Sequence, residues 1–229
     1  MTFQAGPLPS REAVRVGRPV RKEIVRQISN GKLVFDKLFA AFALFTLAPV
    51  MAAIAIATRF GDPGPVFYKH KRIGQDGKPF DCVKFRSMRV NSAEVLGELL
   101  ENDPVARAEW DRDQKLTDDP RIHPVGKFLR KTSLDELPQF WNVLIGDMSI
   151  VGPRPIIEDE VKRYGVFFAD YCAVRPGITG AWQVGGRNDT SYDHRVALDV
   201  EYVRNATLLD DIRIVFRTVA VVLTQRGAS

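Results

Sequence analysis

The chain has 229 residues, 45% hydrophobic and 27% charged, enough for one sizeable core with or without an anchor, and nothing repeats at a fixed period. Thirty-three basic against 28 acidic residues leave a charge of +5 and a pI near 9.3, which suits phosphorylated substrates, anionic lipid or nucleic acid alike. Cys82 and Cys172 stand far apart without metal-ligand spacing, so reduced structural thiols are expected rather than a disulfide or a zinc centre.

Residues 1–31 carry Pro7, Pro9 and Pro19 among Arg11, Arg15, Arg18, Arg21, Lys22 and Arg26, with few large apolar groups: a basic flexible arm. Because it leads straight into a membrane-grade segment, anionic headgroups are its expected partner rather than nucleic acid. Within 32–60, Leu38 to Thr58 is a run of about 21 residues without a charge, long enough to cross a hydrocarbon core. Three readings compete. Ala53, Ala55 and Ala57 offer signal-peptide-like cleavage sites, but the run exceeds the usual apolar length of about 7–15 residues. A straight transmembrane helix is the simplest reading, yet Lys32 and Lys37 precede the run and Arg59, Lys69, Lys71 and Arg72 follow it, so both ends belong on the cytoplasmic side. A helix broken at Pro49 that enters and leaves by one face satisfies that rule, provided its freed backbone groups find partners.

Residues 61–229 are expected to form a cytosolic domain. After a turn-rich exit at Gly61 to Pro65, Val66 to Ile73 and Phe80 to Phe85 read as strands joined by a tight turn at Gln75 to Lys78. This hairpin brings Arg72, Lys84, Arg86 and Arg89 within a short reach; alone, they read equally well as a solvated basic face. Asn91 and Asp103 are candidate caps for two packing helices that run to about Asn102 and Gln114. A turn from Asp118 to His123 precedes a helix over Val125 to Arg130, and His123 is given no catalytic role.

The run from Thr117 to Pro155, TDDPRIHPVGKFLRKTSLDELPQFWNVLIGDMSIVGPRP, sets acids among bases. Ser133 and Glu136 match a capping box, although Pro138 would then fall inside the helix; with Asp135 as the cap, Pro138 falls where its missing N–H is harmless. Either way Asp135 stands at a helix start, where a carboxylate and an approaching phosphate are both favoured. The pair Asp135 and Glu136 reads either as a helix cap or as a carboxylate nucleophile with its partner. Ser149 to Val151 reads as a short buried strand leading to Arg154, which two prolines hold stiffly. The glycine-rich loops from Arg175 to Gly180 and from Gly185 to Asn188 are weak phosphate signals on their own. From Asp199 to about Gln225, Leu208, Leu209, Ile212, Val215, Phe216, Val219 and Leu223 line one side of an amphipathic helix, with Arg213 and Arg217 off it; it can pack on the core or lie on a membrane.

Four ordered stretches, PVFYKHKRIG, KFRSM, the long run above and RPGITGAWQVGGRN, resemble the signature of the bacterial sugar transferases, the monotopic phosphoglycosyl transferases. The resemblance spans about Lys32 to Gly227. It implies an α+β monotopic membrane protein: a re-entrant broken-helix anchor and a mainly helical cytosolic catalytic domain containing a small β-hairpin. It implies transfer of a sugar-1-phosphate, galactose-1-phosphate being the nearest match, from a UDP-sugar to undecaprenyl phosphate, with Asp135 as nucleophile and Glu136 as its partner. It also implies substrate contacts at Lys84, Arg86, Arg154, Arg175 and Arg187. Mg²⁺ held at Asp135 and Glu136 is expected because two carboxylates must meet a diphosphate. The expected place is the inner leaflet of the bacterial cytoplasmic membrane with the catalytic domain facing the cytoplasm; no nucleic-acid partner is expected, and the resemblance admits a homodimer. The chain departs from the family at its helix break, where Ala48-Pro49 replaces the usual Ser-Pro. Glucose or an N-acetylated sugar as the transferred group, a non-catalytic membrane adaptor and a tethered nucleic-acid module are the alternatives.

Overall fold

The computed structural model describes residues 30–113, 115–185 and 191–224. Its first element, α1 (Asn30–Gly61), is long and apolar enough to cross a membrane and contains Pro49. The helix runs on through the proline, so the expected break is not a gap in the helix. Two local features weaken it there. Pro49 cannot donate to the Phe45 carbonyl, and the Thr46 hydroxyl bonds back to the carbonyls of Phe42 at 2.8 Å and Ala43 at 3.3 Å. Phe42 and Phe45 are 68% and 82% exposed, so the protein interior does not account for their apolar surface.

The chain divides into two compact units, and the change within α1 falls between Leu47 and Ala48, one residue before the proline. Residues 61–229 contribute to both units.

The first unit holds residues through 47, 69–83 and from 138 onward. To it belongs most of the hairpin β1 (Phe67–Ile73) and β2 (Pro79–Phe85), whose turn is closed by Gly74 N–H on the Lys78 carbonyl at 2.8 Å and needs positive φ at Asp76 and Gly77. The hairpin is as expected. Further on, α5 (Gln139–Ile145) ends at Gly146, and β3 (Ser149–Val151) pairs in parallel with β4 (Gly177–Thr179), Ser149 opposite Gly177 and Val151 opposite Thr179. Sequence reading took the second of these for a glycine-rich loop; the glycines are there because the strands approach too closely for a side chain. Short helices α6 (Val161–Tyr164), α7 (Phe168–Cys172) and α8 (Ala181–Gly185) lead to α9 (Tyr192–Asn205) and α10 (Leu208–Thr224). Val143, Met148, Ile150, Val151, Tyr202 and Ile214 form the main core with Ala40 of α1. A second cluster joins Ile73 and Ile156 to Tyr164, Tyr171, Val196 and Val200.

One expectation fails here for a physical reason. The single helix from Asp199 to about Gln225 is two helices, because the chain turns extended at Ala206 and Thr207 restarts it: its N–H and hydroxyl donate to Asp210 Oδ2 at 3.0 and 2.7 Å. The apolar side assigned to that helix is largely outside. Asp211 and Ile214 are buried while Leu209, Phe216 and Val219 are exposed. Asp211 is drawn inward because Lys32 Nζ donates to its Oδ2 at 2.7 Å and Tyr202 Oη to its Oδ1 at 2.6 Å. Asp36 is buried beside them, accepting from Ser149 Oγ at 2.8 Å and Ile150 N–H at 3.2 Å, which ties the start of α1 to β3.

The second unit holds 48–68 and 84–137. It contains α2 (Ser92–Asn102), α3 (Pro104–Asp113) and α4 (Pro124–Thr132), around a core of Ile54, Phe85 and Leu129 with Val125, Leu134 and Leu137. Asp103 caps α3 as expected, its Oδ1 accepting from Val105 and Ala106 N–H at 2.8 and 3.1 Å. Asn91 makes no such side-chain bond to α2. Cys82 and Cys172, both in the first unit, are free thiols.

Candidate active site

In the second unit, His123 opens α4. Its Nδ1 accepts the Gly126 N–H at 3.0 Å and its Nε2 lies 3.0 Å from the Arg86 carbonyl, so both ring nitrogens serve the fold. Gly126 packs so closely on Ser87 that a Cβ there would lie 2.0 Å from the Ser87 carbonyl oxygen. These contacts fix α4 on the segment that follows β2.

α4 ends at Ser133, which takes the left-handed conformation (φ 58°) and returns its N–H to the last turn. Ser133 therefore cannot be the extended N-cap that a capping box requires. Leu134 to Glu136 form a 3₁₀ turn, Leu137 and Pro138 keep helical dihedrals, and α5 proper begins at Gln139. Asp135 thus stands at the helix start, inside an opening turn rather than as the N-cap. The left-handed serine is the cause, and a short polar side chain tolerates that conformation.

The turn places Glu136 against Lys84 at the end of β2, Nζ to Oε1 2.6 Å. Asp135 is half-buried, and its carboxyl is pushed up to about 6 by burial and then by the adjacent Glu136 charge, against the pull of Lys84 and Arg130. At neutral pH it remains mostly ionised. Arg130, on α4, donates from Nε to Ser87 Oγ at 2.9 Å. Two carboxylates and two cations from three different segments therefore meet here, where a carboxylate can act as nucleophile and cations can receive phosphate oxygens.

Arg86 is placed otherwise. It is buried, with its guanidinium on the Asp62 carboxylate and carbonyl and its Nε donating to the Pro65 carbonyl at 2.6 Å. It holds the turn after α1. The substrate contact expected of it gains no geometric support, because these partners already engage its donors. Arg154 and Arg175 lie in the first unit. Arg154 is exposed near Trp182, and Arg175 lines a cleft of about 120 Å³ with Lys32, Asp36, Gln75 and Asp211. Arg187 lies outside the described residues. Asp36, Lys32 and Asp211 were not singled out as a group; nothing in their spacing reveals that they meet.

The model of the family described as bacterial sugar transferase matches residues 27–225. The chain is 55% identical over 198 residues to an undecaprenyl-phosphate galactose phosphotransferase of Salmonella typhimurium, which covers 86% of this chain and 41% of that one. It is 49% identical over 211 residues to the exopolysaccharide production protein ExoY of Sinorhizobium fredii, covering 92% and 93%. A UDP-glucose:undecaprenyl-phosphate glucose-1-phosphate transferase of Escherichia coli is 43% identical over 192 residues, covering 80% of this chain and 38% of its own. The chain thus spans about two-fifths of the length of the first of these relatives and nearly all of the second. With a family model matched across most of its residues and these identities over most of its length, the chain belongs to the bacterial sugar transferase family.

Proposed function

We propose that this transferase moves a sugar-1-phosphate, galactose-1-phosphate first among the candidates, from a UDP-sugar to undecaprenyl phosphate for exopolysaccharide synthesis. The observation that carries the reading is the half-buried Asp135 beside the Glu136–Lys84 pair and Arg130. Relatives named for galactose and for glucose transfer support the class and put galactose ahead.

In the first half-reaction Asp135 attacks the sugar-bearing phosphorus, and the bond from that phosphorus to the oxygen bridging the two phosphates breaks. UMP leaves with the bridging oxygen, and the sugar phosphate is left esterified to the Asp135 carboxylate. The polyprenyl phosphate oxygen then attacks the same phosphorus, displaces the carboxylate and restores Asp135. Glu136 serves as partner carboxylate for the acceptor's proton. Lys84 holds Glu136 in place and adds positive charge where phosphate oxygens gather. Arg154 is a further phosphate contact, with Arg175 and Arg187 assigned to the donor on the resemblance alone.

The donor set fits Mg²⁺. Asp135 and Glu136 offer the hard oxygen ligands that Mg²⁺ takes together with water and substrate phosphates. These two residues would hold it, and when bound it offsets the repulsion between diphosphate and carboxylates.

The exposed apolar surface of α1 supports a membrane anchor. We assign it a re-entrant path bent at Pro49, in the cytoplasmic leaflet of the bacterial inner membrane. UMP release by detergent-solubilised protein supplied with undecaprenyl phosphate, Mg²⁺ and each UDP-sugar in turn tests the function. One donor should be preferred, and Asp135→Asn should lower release at least 1000-fold, on the order of what loss of a covalent nucleophile costs. Release that survives Asp135→Asn would remove the covalent step; no release with any donor, by folded protein, would remove the function.

A further inference from the structure

In the second unit one short segment of chain reaches both carboxylates of the candidate site. Lys84, at the end of β2, meets Glu136 directly. Ser87, three residues on, reaches Asp135 through Arg130: it is 8% exposed, and its Oγ accepts the Arg130 Nε hydrogen at 2.9 Å. The segment that carries Ser87 is fixed from several sides. His123 Nε2 lies 3.0 Å from the Arg86 carbonyl, and Gly126 leaves no room for a Cβ against the Ser87 carbonyl. Met88 pairs antiparallel with Ile122, and Arg89 N–H donates to the Arg121 carbonyl at 2.7 Å. The other end of the contact is tied as well. The Arg130 carbonyl accepts the Ser133 N–H and the Ser133 carbonyl accepts the Glu136 N–H, both at 3.3 Å. Two successive turns thus keep Arg130 beside Asp135, and the two charges reach each other.

Arg130 is exposed, and Ser87 takes only one edge of it; its Nη nitrogens have no hydrogen-bond partner among the described residues. The other carboxylate whose charge reaches it, Asp119, is already engaged by Arg121 at 2.8 and 2.6 Å. An arginine side chain free to turn must give up several rotamers on binding, whereas a planar head pinned at Nε has given them up already and presents its remaining donors as a fork. Such a fork matches two oxygens of one phosphate.

We propose that Ser87 is a positioning residue of this active site: its hydroxyl oxygen pins Arg130 at Nε, so that the two Nη groups are held ready for the phosphate oxygens that approach Asp135. This rests on the proposed function, in which the sugar-bearing phosphate comes to Asp135. Ser87 itself touches no reacting atom and acts through Arg130.

Steady-state UMP release by the full chain in detergent, with Mg²⁺, undecaprenyl phosphate and the preferred UDP-sugar, tests this as a double-mutant cycle. Ser87→Ala should lower kcat/KM about tenfold or more, the usual effect of losing a hydrogen bond to a charged group. Most of the loss should fall on kcat, because a fixed guanidinium counts most against charge on the transferring phosphoryl group. Ser87→Thr keeps the acceptor and should recover most of the rate. In the Arg130→Lys background, which has no guanidinium to hold, Ser87→Ala should cost less than about twofold. Ser87→Cys, close in size and only a weak acceptor, replaces the alanine variant if circular dichroism shows that the latter does not fold. Native kcat/KM in the folded variant overturns the proposal, and so does an equal loss with and without Arg130→Lys, the mark of a contact that serves the fold alone. Release that Asp135→Asn abolishes and Ser87→Ala leaves unchanged keeps the function and overturns the role of Ser87; release that survives Asp135→Asn overturns both.

Discussion

Burial raises the carboxyl of Asp135 to about 6 and that of Asp199 to about 7. They differ in their surroundings. Asp135 has Lys84 and Arg130 within electrostatic reach, which keeps it ionised near neutrality, as a nucleophile must be. Asp199 is 2% exposed and accepts from Tyr164 Oη at 2.7 Å, while its second oxygen has no hydrogen-bond partner among the described residues. Its folded pKa lies above the unfolded value near 4, so between about 4 and 7 the folded chain binds a proton that the unfolded chain has released. The stability linked to Asp199 is therefore fullest below about 4, declines as pH rises towards 7 and is level above it. Asp199→Asn keeps an acceptor for Tyr164 and cannot titrate. Urea unfolding at pH 5 and pH 8 should show the native protein losing more stability over that interval than the variant; equal losses would mean that Asp199 is ionised throughout. Sequence pattern reached Asp135 because its neighbours in the chain carry the signature, but it gave no sign of Asp199, whose carboxyl is raised by burial against the pull of the Tyr164 hydroxyl, 35 residues away.

Among the elements, the hairpin was readable because alternating strands and a glycine-containing turn are local signals. β4 was not. Its three residues look like a loop, and only the parallel pairing with β3 makes them a strand. That pairing demands glycine: a Cβ on Gly177 would lie 2.1 Å from the Gly152 nitrogen and 2.5 Å from the Thr179 oxygen. Gly177→Ala should therefore lower Tm by the equivalent of about 1–3 kcal/mol or more. Gly97→Ala, in α2 with nothing within 4 Å of the added methyl, should raise stability by about 0.5–1 kcal/mol. Thermal unfolding followed by near-ultraviolet circular dichroism separates the two, and a Gly177→Ala protein as stable as the native one would mean that the strands can part without cost. α10 shows the opposite limit of pattern reading. Its apolar periodicity was correct, but the face that packs was chosen by Asp211, which Lys32 and Tyr202 hold inside.

For the molecule as a whole, α1 is, among the described residues, the helix long and apolar enough to cross a membrane, and the proposed anchor. The re-entrant path proposed for it rests on the basic residues that flank its apolar run on both sides, and Pro49 with the Thr46 back-bonds weakens the helix where that path bends. In cells, cysteines at Asn30→Cys and Lys69→Cys, in a chain with Cys172→Ser, should both resist a membrane-impermeant thiol reagent added from the periplasm and both react after lysis. Labelling of either one in intact cells would establish a straight span instead.

The sequence alone determined the family-bearing motifs, the long apolar run of α1, the hairpin and the Asp135–Glu136 pair, because each is written in neighbouring residues or in a local period. Tertiary structure decided the rest: the left-handed Ser133 that moved Asp135 off the cap, the Lys84 that meets Glu136, the turn that engages Arg86, and the Trp182 indole on which Arg195 and Arg154 sit. Apart from the local turn at Ser133, these depend on partners more than ten residues apart in the chain. Their meeting is fixed by packing and burial, which no window of sequence contains.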